Sequence, residues 1–209
     1  MMPAPSNKPA LHPSEELLAQ HAGGALPLAR RVLLESHFSF CPDCRAAAAE
    51  LARPGGRHLR SLPGAPAPAA LWQKIAARVA GERTAPRNLL DDTPLPLAGR
   101  AELPPFHQPL EWGTLPGSPS QIALLLDDPQ HELQLFLIHN PPDSTFPYHR
   151  HLGNEDLLVL QGAFTDRYGH YGVGDLQLYA PGTDHEPRID PEETCWAITC
   201  VQSGVSFER

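Results

Sequence analysis

Six prolines between residues 86 and 109 constrain this chain more than any other feature. Pro86, Pro94, Pro96, Pro104, Pro105 and Pro109 lack a backbone donor and have a locked φ, so neither a continuous helix nor a central strand crosses this stretch. The two sides of it differ in kind. Residues 1–83 hold 10 Lys+Arg against 6 Asp+Glu, a net of +4, and are rich in Ala, Leu and Arg at helical spacing. Residues 84–209 hold 6 against 18, a net of −12, and beyond about residue 106 the pattern alternates, as in Leu133, Leu135 and Leu137. Such a reversal suggests separately evolved modules with different surfaces. The reading is an α+β chain in two modules: helices over 1–82, a Pro-rich linker over 83–105, and antiparallel strands over 106–209.

Composition limits the alternatives. The 25 Pro and 16 Gly among 209 residues make a turn-rich chain, and 41% hydrophobic residues allow a real core. The longest apolar runs, Ile122–Leu126 and Leu135–Ile138, are far short of the roughly 18 residues that cross a bilayer. MMPAPSNKPALHPSEELLAQ shows no secretory pattern, so a reducing cytoplasm is the expected compartment and structural disulfides are not expected. No basic stripe interleaved with aromatics argues for direct nucleic-acid binding.

In the first module Ser14 is placed to cap a helix over Glu15–Ala22, whose first-turn Glu15 and Glu16 suit the positive end of the helix dipole. Gly23-Gly24 ends it. A second helix starts near Pro27 and must stop at Pro42, which also opens a third through Ala46 to Leu51, ahead of the break expected at Pro54-Gly55-Gly56. A fourth, over residues 69–80, puts Leu71, Trp72, Ile75 and Val79 on one stripe. Tethered by LPGAPAP, it either folds back on the bundle or lays that stripe in a partner's groove.

His37 and Cys41, four apart, share a helical face, and Cys44 returns to it across Pro42: H-x3-C-x2-C. With His12 as fourth ligand, and His21 as a weaker competitor, the set is a closed Cys2His2 site for structural zinc. A redox dithiol or two buried cysteines would leave the upstream histidine superfluous. A module of about 80 residues has little core of its own, so metal is expected to supply much of its folding free energy.

The second module carries H-x-H-x3-E, which is His149, His151 and Glu155, and later His185 after Pro181-Gly182. Three imidazoles and a carboxylate suit zinc or another divalent first-row ion with open positions. His131, His139 and His170 read as solvent-facing strand residues, and Cys195 and Cys200 as thiols on opposite sides of one strand.

These two stretches resemble the paired motifs of cupins. Spacing matches from His149 to Gly162 and from Gly174 through Gly182 to His185, although Asp143 stands where the opening Gly would be, Pro181 is displaced by one, and Ile189 replaces the closing Asn. The resemblance implies a small antiparallel jelly-roll barrel over about residues 106–207, with the metal inside. A helical H-x3-C-x2-C with an upstream His, joined by a linker to a cupin, is similar to the ChrR-type zinc-binding anti-sigma factors. SEELLAQHAGGALP, SHFSFCPDCRA, EDLLVLQGAFTDRYG and VGDLQ carry the likeness further.

That second resemblance implies an extracytoplasmic-function sigma factor gripped by the helical zinc domain, with Leu71, Trp72, Ile75 and Val79 as apolar anchors, and released when the cupin senses oxidative or photo-oxidative stress. Oxidation of Cys41 and Cys44 to a disulfide is an alternative sensor. The alternative class is a metal-dependent cupin enzyme, dioxygenase-like, with a helical accessory module. Against it, Tyr148, Asp156 and His170 are the only further acid or base candidates near the second motif.

Overall fold

The computed structural model describes residues 9–82 and 88–208. The N-terminal stretch 1–8 and the opening of the linker, 83–87 with Pro86, lie outside the described residues. The first module opens with three helices: α1 (Glu15–Ala22), α2 (Leu28–Phe40) and α3 (Pro42–Ser61). Ser14 caps α1, its hydroxyl accepting from Leu17 N at 3.2 Å. Cys41 is at once the last cap of α2 and the first of α3, as Pro42 requires.

Two helical boundaries differ from the sequence reading. α3 does not break at Pro54-Gly55-Gly56 but continues to Ser61. Its residues from 49 onward are almost all exposed, so water can take the carbonyl that Pro54 cannot satisfy. The fourth helix, α4, spans Leu71–Glu82 and does not fold back: every residue from Leu71 to Gly81 is exposed.

The segment read as a linker is also partly packed. A 3-10 turn (Leu89–Asp92) and α5 (Leu97–Glu102) lie in it, with Leu90, Leu95 and Leu103 buried. Pro94, Pro96, Pro104 and Pro105 flank these short elements rather than interrupt them. Gly99 meets α2 so closely that an added Cβ would stand 2.0 Å from Ser36 Oγ and 3.0 Å from Val32 O. Gly99→Ala, which by helix propensity alone would stabilise by about 1 kcal/mol, is expected to destabilise by about 1–3 kcal/mol through overpacking. A urea midpoint moved upward instead would show that α5 does not press on α2.

The strands are β1 (Trp112–Thr114), β2 (Gln121–Asp128), β3 (Leu133–Asn140), β4 (His149–His151), β5 (Glu155–Gln161), β6 (Phe164–Asp166), β7 (Gly169–Tyr171), β8 (Leu176–Tyr179), β9 (Asp184–His185), β10 (Arg188–Ile189), β11 (Cys195–Gln202) and β12 (Val205–Ser206). All pairings are antiparallel: a six-stranded sheet in the order β1-β2-β3-β11-β5-β8, and two three-stranded sheets, β10-β6-β7 and β12-β4-β9. Among the described residues, hydrogen bonding does not close the strands into one ring. Asp143, at the position of the missing opening Gly, has φ 54°; Asp tolerates this left-handed backbone better than most side chains.

β5 is buried at every position but its last. Glu155 and Leu157 line the interior with His149 and His185, and Val159 packs in the interior apolar cluster, whereas Leu158 and Leu160 join the cluster shared with the helices. That cluster runs without interruption from Val32, Leu33 and Phe38 through Leu90 and Leu95 to Leu135, Leu158 and Ile198. Cys195 packs in the interior cluster and Cys200 in the shared one, so the two thiols do face opposite sides of β11.

Candidate metal centres

β4 and β9 pair His149 opposite His185, while His151 follows on the same face and Glu155 opens β5. One ligand atom from each of His149, His151, Glu155 and His185 falls within 4.8 Å of the others, and all four residues are buried.

The outer nitrogen of each ring settles what the inner one can do. Nδ1 of His149 donates to Pro147 O at 2.9 Å, Nδ1 of His185 to Asp166 Oδ2 at 2.7 Å, and Nδ1 of His151 to Thr183 Oγ1 at 2.9 Å. With those protons outside, the Nε2 lone pairs point inward. Those of His149 and His185 stand 2.9 Å apart, and that of His151 stands 2.9 Å from Glu155 Oε2. Converging lone pairs and a carboxylate repel one another unless a cation lies among them, so the donor set fits a metal ion.

Electrostatics agree. Burial pushes the His149 imidazole down to about 4, outweighing the nearby Glu155 carboxylate, so the ring is neutral at physiological pH. Burial opposes ionisation of Glu155 more than any other single influence, yet its close neighbours His151 and His149, with the hydroxyl of Thr199, together hold it below its ordinary value. Thr199 donates to Glu155 Oε1 at 2.7 Å, leaving Oε2 for the centre. Asp166, buried behind His185, accepts from His185 and Tyr179 and from the backbone of Tyr168 and Gly169. Against its burial, these hold it down at about 2.

The second cluster gathers His12, His37, Cys41 and Cys44, again within 4.8 Å. Cys41 and Cys44 come from the α2–α3 junction, where Cys44 N donates to Cys41 Sγ at 3.4 Å. His12 Nδ1 stands 3.5 Å from Cys41 Sγ and 3.4 Å from Cys44 Sγ. His37 donates its Nδ1 proton to Gly174 O at 2.9 Å, and its buried Nε2 has no partner among the described residues. Burial, then the hydrogen bond with Cys41, pushes the Cys44 thiol up to about 12. An orphaned imidazole nitrogen between two thiols fits a tetrahedral metal with two nitrogens and two sulfurs. His21, the competitor for His12, instead pairs with Glu35 at 2.8 Å.

Three further groups are not where catalysis at the first cluster would need them. Asp156 faces outward and pairs with Arg30 of α2 at 2.9 Å; His170 is largely exposed and pairs with Asp190; His131 pairs with Asp128. His139, expected to face solvent, is half-buried and packs against Trp196, ring centroids 4.5 Å apart. Spacing did not point to Asp166, Thr183 or Thr199, because each reaches its histidine or glutamate across strands far apart in sequence.

Of the anchor residues, Trp72 is 74% exposed, and Leu71, Ile75 and Val79 are exposed beside it. No helix among the described residues is long and apolar enough to cross a membrane.

Comparison with known proteins follows the same division. Residues 106–203 match the ChrR cupin-like domain family. The chain is 32% identical over 206 residues to the anti-sigma-E factor ChrR of Cereibacter sphaeroides, covering 94% of this chain and 91% of that protein. A chain in the crystal structure of Rhodobacter sphaeroides SigE in complex with the anti-sigma ChrR aligns with a TM-score of 0.65 at 28% identity, over 92% of this chain and 98% of that one. An acetylacetone dioxygenase from Acinetobacter johnsonii aligns at 0.42 and 18% identity, over 47% of this chain and 72% of that one, a likeness too low to bear on any residue's role.

Proposed function

The chain belongs to the ChrR family of anti-sigma factors, and from that premise we propose that it sequesters an extracytoplasmic-function sigma factor in the cytoplasm and releases it under oxidative or photo-oxidative stress. In this reading residues 1–82 are the sigma-binding domain, 83–105 the connection, and 106–209 the sensing domain. His12, His37, Cys41 and Cys44 hold structural zinc, which brings four-coordinate cross-linking to a small helical domain. His149, His151, Glu155 and His185 hold zinc or another divalent first-row ion.

The observation that carries the reading is the exposed arm. From residue 49 to Gly81 hardly any residue packs on the rest of the chain, yet α4 is amphipathic and presents Leu71, Trp72, Ile75 and Val79 to solvent. A contiguous apolar face of this kind marks a binding surface.

The sensing half of the proposal is supported by a cavity of about 220 Å³ beside His149, Glu155 and His185. Phe136, Ile138, Phe146 and Phe164 wall it, and Asn140 lines it too, with a buried Oδ1 that has no partner among the described residues. It suits a small, mainly apolar signal molecule with one polar group. The enzyme alternative has less support, since Asp156 and His170 are engaged elsewhere.

The test is affinity capture from native lysate on the full chain, followed by exposure of the complex to oxidant. One sigma factor is expected to be retained and then released. Glu155→Gln should capture it as tightly as the parent chain yet fail to release it; release at the parent rate would remove the cluster of His149, His151, Glu155 and His185 from sensing.

A further inference from the structure

The turn Gly172–Asp175, between β7 and β8, belongs to the sheet module but reaches into the other module's metal-ligand cluster. It is itself rigid. Asp175 N donates to Gly172 O, Gly174 N donates to Val159 O and Val159 N donates to Asp175 O, which lashes the turn to β5. Asp175 Oδ2 accepts from Gly172 N at 2.8 Å.

From that platform two groups face the helices. Gly174 O takes the Nδ1 proton of His37 at 2.9 Å, which leaves Nε2 as the ring's only lone pair and sets the ring's direction. Asp175 Oδ1 accepts from the backbone of Ala10 and Leu11, and Leu176 N donates to Leu11 O at 3.3 Å. His12 is the next residue. Two of the four ligands, His37 on α2 and His12 beside Leu11, therefore take part of their aim from the sheet module, whereas Cys41 and Cys44 are set by the helices alone.

Gly174 is required for the approach: its φ is +87°, and a Cβ there would meet Pro9 Cγ at 2.7 Å and Phe40 Cβ at 2.8 Å. Asp175 is buried, so its two carboxylate oxygens are committed to these donors rather than to water.

We propose that the Gly172–Asp175 turn is a working part of the helical module's metal centre, with Gly174 and Asp175 as positioning residues for His37 and His12. Metal affinity at His12, His37, Cys41 and Cys44 then depends on the sheet module being docked. By thermodynamic reciprocity, metal loading tightens the docking to the same degree. A disturbance that shifts β5, which opens with Glu155, reaches the other cluster through Val159 and this turn. The inference rests on the metal reading of the Cys-containing cluster and not on the identity of any partner.

The experiment is cobalt(II) titration of the full chain without a partner, in competition with a chelator. Only the Cys-containing cluster can give a cobalt–thiolate charge-transfer band, because the other offers nitrogen and oxygen alone. Gly174→Ala and Asp175→Asn are each expected to weaken the band's midpoint by about 10–100-fold, the usual cost of losing an outer hydrogen-bond partner of a ligand, while the second metal equivalent still binds. Parent-like affinity in a variant with an unchanged circular dichroism spectrum would overturn the proposal. No band in the parent chain would overturn the metal reading itself, and the proposal with it. If a variant fails to fold, amide exchange in the parent chain decides: protection at Ala10 and Leu11 must rise on metal addition, and equal protection with and without metal counts against the role of the turn.

Discussion

Replacing Trp72 and Ile75 with glutamate is expected to abolish sigma-factor capture while leaving the free chain as stable as before. The two halves of this result have separate causes. Trp72 is 74% and Ile75 44% exposed, so neither contributes to the core of the free chain, and surface substitutions of this kind stay within about 0.5 kcal/mol. In a complex the same side chains would be buried, where a large aromatic anchor is worth about 2 kcal/mol or more and a carboxylate in its place adds a desolvation cost. Two such losses amount to about 4 kcal/mol or more, roughly a thousandfold in Kd. Calorimetric titration of the double variant against the captured sigma factor reads the effect directly. Unchanged affinity would mean that α4 is not the gripping element. The net charge of +4 on residues 1–83 adds weight to the apolar anchors, because sigma factors have to interact with nucleic acid and often carry basic surfaces; burial rather than bulk attraction must then supply most of the affinity.

Removing metal from the Cys-containing cluster should have the second large effect. The helical module buries a modest set of its own side chains, among them Leu18, Leu26, Ala29 and Val32, and structural zinc supplies on the order of 10 kcal/mol to small domains. Chelation, or Cys44→Ser, is therefore expected to loosen α1 and the α2–α3 junction, seen as lost amide protection there. The shared apolar cluster should keep part of α2 on the sheet. Full protection after chelation would show that packing alone holds the module.

Acid should act in the same direction on the metal-free chain. His37 and His149 are both held below their ordinary value by burial, His149 at about 4. The unfolded chain thus binds protons first, and stability is lost as pH falls below about 6.5, with the His149 contribution exhausted near 4. Metal affinity falls over the same range, because imidazoles must be neutral to ligate. A stability curve flat between pH 7 and 4 would contradict the burial of these rings.

Much of the chemistry could be read before any coordinates. H-x3-C-x2-C and H-x-H-x3-E are local patterns: a helix face and a strand face place such residues together by their own periodicity, and the pairing of β4 with β9 supplies His185 to the second set. The helix limits set by Ser14, Gly23 and Pro42 were equally local. The break expected at Pro54 was not found, because an exposed helix can leave a carbonyl to water. Nor was the packing of Leu90, Leu95 and Gly99 expected, since proline density says where regular structure stops and not what the apolar residues between prolines will touch.

The residues that gather in the two candidate clusters, the order of helices before strands and the amphipathic stripe of α4 were thus legible in the sequence alone, as consequences of residue type and backbone period. Only the tertiary structure decided that the two modules share one core, that β5 is covered on both faces, that Asp166 holds His185, and that Gly174 and Asp175 aim the histidines of the other cluster. These last contacts join residues 137 and 164 positions apart. No local pattern encodes such a pairing, because it depends on how the sheet turns Gly174 toward α2, and that follows from burying the apolar surface of both modules together.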